Sequence, residues 1–174
     1  YSGERWANSA DDVQIRGCYF NDHFVFNADG SFQNVLGEET WLEWWQGVDA
    51  DQCGVPVYPH DGSNPATWDL NEETGQITLT GMGAYLGLPK AVNAGELPNV
   101  DVPESVTYNV SFDNGMMTLV IEAGAGVFWT FDLVPALDGE SVYFVKEDYA
   151  DVTNPENWDH VTESVAIMRG DNHG

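Results

Sequence analysis

The stretch HFVFNADGSFQNV, residues 23–35, decides the fold. Phe24 and Phe26 alternate with Val25, the period-two pattern of a strand with one buried face. NADGS then breaks the pattern with turn formers, and Gly30 is free to take a positive φ. Alternation resumes in SFQNV, so the stretch predicts a β-hairpin.

Working outward, VQIRGCYF (13–20) alternates before the hairpin and TWLEWW (40–45) reads as a further strand. ATWDLNEETGQITLTG (66–81) predicts a second hairpin about NEETG. SVTYNVSFDNGMMTLVIEAGAGVFWTFDLVP (105–135) gives three more strands, with turns at DNG and AGAG. ESVYFVKED (140–148) is a last strand. Two segments are irregular: residues 47–66, rich in Gly, Pro and Asp, and GMGAYLGLPKAVNAGELP (81–98). A long irregular segment in a compact domain is usually functional or stapled. The tail from Asp148 fits less well, and Asn154 with Pro155 predicts the start of a short helix. No internal repeat and no second domain stand out, so residues 1–174 form a single all-β domain. The expected architecture is an antiparallel, jelly-roll-like β-sandwich, with a closed lipocalin-like barrel as the alternative.

Composition narrows the partners. Twenty-nine acids against five bases among 174 residues give a net charge of −24 and a pI near 4.1. Such a field repels nucleic acid and anionic lipid surfaces. The acids are scattered, as on the solvated acidic surface of a protein from salty water. Cys18 and Cys53 allow one intramolecular bridge and lie outside any C-x-x-C pair. A structural disulfide implies a secreted protein, at the cell surface or beyond, with the periplasm as an alternative. No apolar run is long enough for a membrane span. The start YSGERWANSADD is not a signal peptide, so the chain is expected to be a mature form or one domain of a longer secreted protein, beside a catalytic or anchoring neighbour.

EETWLEWWQG (38–47) sets three acids among three tryptophans. On an ideal strand Glu39, Trp41, Glu43 and Trp45 share one face, leaving Leu42 and Trp44 to the core. Glu39 and Glu43 would then stand about 13 Å apart at ~3.3 Å per residue, beyond the spacing of a glycosidase pair. Glu38 and Glu43 have the offset of the E-x-D-x-x-E signature of laminarinase-type glycoside hydrolases. Thr40 replaces its middle Asp, so these two are the catalytic residues only if the protein is an enzyme. The histidines His23, His60, His160 and His173 have no ligand spacing. Asn27, Asp29 and Ser31 resemble the start of a calcium loop without its downstream Glu, and Asp61 in HDGSN is equally loose. Any calcium would be structural, and no other cofactor is expected.

Binding explains more of the pattern. A glycan offers C–H faces to rings and hydroxyls to carboxylates and amides. Trp41 and Trp45 flanked by Glu39 and Glu43 form the expected platform. Tyr58, His60, Tyr85, Lys90, Asn93 and Glu96 are further candidates from the two irregular segments. Lys90 is either a ligand contact or an ion-pair partner, with Glu96 as its acid. His60 would orient a sugar hydroxyl or be a plain surface histidine. Trp129 in VFWTFDL reads as core.

Residues 6–135, with both cysteines, W-x-x-x-WQG (41–47), PHDG (59–62) and GLPK (87–90), resemble a module in secreted proteins of marine Bacteroidota. That module occurs beside laminarinase-type (glycoside hydrolase family 16-like) domains and in polysaccharide-utilisation proteins. The resemblance implies an extracellular β-sandwich recognising a marine polysaccharide such as a β-1,3-glucan; residues 136–174 lie outside it. The expected function is therefore a noncatalytic carbohydrate-binding module for a neutral glycan. A laminarinase-type hydrolase, a lipocalin-like barrel for a small apolar ligand and an adhesive repeat unit are the alternatives.

Overall fold

A computed structural model describes residues 9–135, 147–149 and 167–170 of the chain. A short helix, α1 (Ala10–Ile15), opens it, capped by Ser9 and Asp12 in a reciprocal capping box. A 3₁₀ turn (Tyr19–Asn21) leads to the first hairpin, β1 (His23–Phe26) and β2 (Ser31–Val35). Then come β3 (Thr40–Leu42), a second 3₁₀ turn (Trp44–Gln46), β4 (Gln52–Gly54), β5 (Ala66–Asn71) and β6 (Gln76–Thr80). Two very short strands follow, β7 (Ala91–Val92) and β8 (Gly95–Glu96). The long strands β9 (Ser105–Asp113), β10 (Met116–Glu122) and β11 (Phe128–Pro135) precede β12 (Glu147–Tyr149) and β13 (Ile167–Gly170).

The all-β expectation holds. Among the described residues nine strands form one sheet in the order β10-β9-β6-β5-β2-β1-β13-β11-β12, and it curls until β11 also pairs with β10. Its pairings are antiparallel except at β13, which runs parallel to β1 and β11. Two ribbons, β3–β4 and β7–β8, are added to it. The local causes are those of the sequence. Gly30 takes φ +85° in the first turn, and Asp29 Oδ1 accepts from the Ser31 backbone N–H at 2.9 Å. Between β9 and β10, Asn114 and Gly115 both have positive φ (49° and 83°), which matches the twist of a tight hairpin.

The concave face of the sheet is the core. Alternate residues point inward, among them Phe24, Phe26, Leu79, Tyr108, Leu119 and Phe131, all at most 2% exposed. The enclosed space is filled by the irregular segment 83–92, whose Ala84, Tyr85, Leu86, Leu88, Ala91 and Val92 are buried. The backbone there approaches the sheet closely: a Cβ on Gly87 would meet the Phe131 ring at 2.4 Å. Its backbone polar groups find side-chain partners. Asn34 Nδ2 donates to the Tyr85 carbonyl (2.8 Å), and the Leu86 N–H donates to Tyr108 Oη (3.0 Å).

Four expectations change. The alternation over 13–20 forms no strand: Val13–Ile15 end α1, and Tyr19 and Phe20 lie in the first 3₁₀ turn. The strand expected over 40–45 ends at Leu42, because Glu43 and Gln46 form a capping box and Gly47 stops the turn at φ +93°. All three residues of β3 are buried, Trp41 included, while Trp44, expected in the core, is 62% exposed. Segment 81–98, expected as a ligand-bearing loop, contributes Tyr85 to the core at 3% exposure. The disulfide Cys18–Cys53 is formed, with an S–S distance of 2.03 Å. It staples the 47–66 segment to the turn after α1. The last strand expected over 140–148 survives as Glu147–Tyr149, and residues 140–146 lie outside the described residues. The start of the short helix expected at Asn154 and Pro155 also lies outside them.

Candidate functional site

A continuous cluster runs from the second 3₁₀ turn across segment 57–60 to the filled core. Glu43 is its hinge. Its Oε1 pairs with Lys90 Nζ at 2.6 Å, and its Oε2 accepts from Trp45 Nε1 at 2.9 Å. The Trp45 ring meets His60 nearly perpendicularly at 5.6 Å, and His60 meets Tyr85 at 6.1 Å. On the other side Lys90 Nζ lies 4.6 Å from the Trp129 ring centroid, within cation–π range. Trp129 Nε1 in turn donates to Glu96 Oε1 at 2.6 Å.

The structure thus brings together Glu43, Trp45, His60, Tyr85, Lys90 and Glu96 out of the sequence candidates. Lys90 is the ion-pair partner of Glu43, whereas Glu96 serves Trp129. The remaining candidates stand elsewhere. Asn93 clamps the backbone of Thr107, donating to its carbonyl (2.7 Å) and accepting from its N–H (2.8 Å). Trp41 is covered by the Arg16 guanidinium, 4.8 Å from the ring centroid, so it presents no free face to a ligand. Tyr58 is 62% exposed, with its hydroxyl 3.7 Å from Met82 Sδ.

Glu38 and Glu39 are exposed and line an open cleft of about 720 Å³ beside the disulfide, with Gln14, Ile15 and Val55 among its other walls. Glu43 is not in that cleft. Both its oxygens are committed to Lys90 and Trp45, and it is 7% exposed. The two acids of the hydrolase alternative therefore do not share a wall of that cleft.

The calcium candidates are explained by turns. Asn27 Nδ2 donates to Ser31 Oγ at 3.0 Å. Asp29 Oδ1 accepts from Ser31 Oγ at 2.7 Å, and Asp61 Oδ1 from the Ser63 N–H (3.0 Å) and Oγ (2.6 Å). Those bonds hold both carboxyls below their usual range. Among the described residues no group of three or more His, Cys, Asp or Glu stands together as a metal site.

Three buried titratable groups with shifted titration lie in or next to the cluster. Burial pushes His60 down to about 4 against the opposing pull of Asp61. Burial pushes Asp22 up to about 8, although Thr40 Oγ1 donates to its Oδ2 at 2.6 Å. Tyr85 is pushed well above its ordinary range, first by burial and then by Asp22.

Sequence reasoning missed Trp129 as a part of the cluster. The indole N–H held the clue, because a buried Trp needs an acceptor. Compared with known proteins, the chain matches no family model, no curated protein and no solved structure.

Proposed function

We propose that the protein is a noncatalytic extracellular carbohydrate-binding module that takes a neutral polysaccharide, such as a β-1,3-glucan, on exposed aromatic rings. The observation that carries this reading is Trp44. Of the described tryptophans it alone is exposed, at 62%. It is also held in place: its backbone N–H donates to Asp51 Oδ1 at 2.8 Å, and the turn carrying it is capped at Glu43 and closed at Gly47. An exposed ring on a fixed turn loses little freedom when a sugar face settles on it. Tyr58 supplies a second exposed ring. It is two residues from His60, whose ring touches Trp45, the chain neighbour of Trp44.

On this reading the platform is Trp44 with Tyr58, because Trp41 is buried and the Trp45 indole N–H is held by Glu43. The net charge of −24 disfavours sulfated and uronic-acid glycans and leaves neutral ones unaffected. The disulfide supports an extracellular setting. The resemblance to the marine Bacteroidota module adds weight, since its W-x-x-x-WQG, PHDG and GLPK motifs meet through the Trp45–His60 and Glu43–Lys90 contacts.

The test is titration of tryptophan fluorescence with soluble laminarin, with the products checked for cleavage. A saturable change, lost in Trp44→Ala and weakened in Tyr58→Ala with the glycan intact, is expected. No response to laminarin or to a wider panel of neutral glycans would sink the proposal. Shortened oligosaccharides would replace it with hydrolysis and turn attention to the cleft at Glu38.

A further inference from the structure

His60 is the polar side chain of the cluster that the protein leaves unused. Glu43, Lys90, Trp45, Trp129 and Glu96 all have partners within it. The imidazole makes ring contacts with Trp45 and Tyr85 and no hydrogen bond among the described residues. Asp61, its chain neighbour, is turned away onto Ser63. Although His60 is only 5% exposed, neither ring nitrogen is among the buried atoms sealed without a partner, so both keep access to the surface. A polar group this far buried is ordinarily satisfied.

We infer that His60 is the hydroxyl-reading group of the site, donating from one ring nitrogen to a bound glycan and accepting at the other. The inference rests on the carbohydrate reading above and specifies its ligand chemistry. A neutral imidazole has one N–H and one lone pair, and adjacent sugar hydroxyls offer the matching acceptor and donor. A carboxylate or sulfate can only accept, and would leave the second nitrogen unanswered. The ring is neutral because its burial opposes the imidazolium. The perpendicular contact with Trp45 and the contact with the buried Tyr85 hold the imidazole in place. Because the group is already desolvated, a ligand without the matching hydroxyls forfeits more than one ordinary hydrogen bond.

The experiment uses laminarihexaose as the probe and the full chain, labelled with ¹⁵N. Both His60 ring nitrogens are expected to shift on binding. His60→Phe, which keeps a ring and removes both nitrogens, is expected to weaken affinity roughly tenfold or more. His60→Gln, whose amide restores a donor and an acceptor, is expected to stay within a few-fold of the parent. The shift in the unmutated protein guards against a variant that fails to fold. Unchanged His60 nitrogens, with His60→Phe binding normally and Trp44→Ala not binding, would overturn the role of His60 and leave the carbohydrate reading intact. No binding of laminarihexaose or of the cello-, xylo- and mannohexaoses by the unmutated protein would overturn both.

Discussion

Asp22 and His60 are buried ionisable residues with opposite consequences for stability. Folded Asp22 keeps its proton up to about pH 8, whereas the unfolded chain releases it near 3.8, so stability falls as pH rises through that window. Folded His60 refuses a proton until about pH 4, whereas the unfolded chain accepts one near 6.5, so stability falls as pH drops through that narrower window. From pH 4 to 6.5 the two slopes offset one another. Above 6.5 only the Asp22 contribution remains, and stability declines toward pH 8 by at most about 1.4 kcal/mol per pH unit. Asp22→Asn keeps the shape and an acceptor for Thr40 while removing the titration. Its stability should rise from pH 4 to 6.5 and stay level above. Urea unfolding followed by tryptophan fluorescence at half-unit steps checks this, and equal slopes for variant and parent above pH 6.5 would refute it.

At the scale of elements, the irregular segment 83–92 holds the fold and the site together. Gly87 sits at φ +72° with the Phe131 ring 2.4 Å from where a Cβ would be. Phe131 is wholly buried and lies nearly parallel to Trp129, the ring beneath Lys90. Gly87→Ala adds overpacking to left-handed backbone strain, and should cost roughly 2–4 kcal/mol. Gly115 is the control: its φ is +83° but nothing lies within 4 Å of a Cβ there, so Gly115→Ala should cost only about 1–2 kcal/mol. Chemical denaturation of the two variants measures the difference, and equal losses would mean that the close approach to Phe131 contributes nothing.

These elements also mark how far the sequence was legible. The hairpins at Gly30 and at Asn114–Gly115 were readable because turn chemistry and alternation are local signals. Segment 83–92 was not, since its glycines and proline look the same whether they open a surface loop or admit a backbone to the core. What distinguishes the cases is Asn34 and Tyr108 satisfying its backbone, and both lie far away in the chain. The same limit misplaced Trp41 and Trp44. A strand carried through Glu43 puts Trp41 and Trp45 outward, and only the Glu43–Gln46 capping box reveals the turn that exposes Trp44 instead.

Taken as a whole, the molecule carries 29 acids and five bases among 174 residues, and that imbalance acts differently on folding and on binding. Compaction brings like charges together, so self-repulsion opposes the folded state at low ionic strength. Salt shortens the screening length from about 10 Å at 0.1 M to about 3 Å at 1 M, which relieves most of that repulsion. The disulfide works by another route. Its 35-residue separation restricts the unfolded chain by an amount the chain-entropy relation puts at roughly 4 kcal/mol, independent of salt. Thermal midpoints should therefore rise steadily between 0.05 and about 1 M NaCl, in the oxidised and reduced protein alike, with the reduced series displaced downward. Binding should behave otherwise. A neutral glycan held by Trp44, Tyr58 and His60 brings no charge into the field, so its Kd should change less than about threefold over the same range. Parallel melting and fluorescence titrations with laminarihexaose separate the two effects. A Kd that shifted tenfold with salt would mean that charge takes part in recognition, and would argue against a neutral ligand; a midpoint that fell with salt would mean that the acids form stabilising pairs.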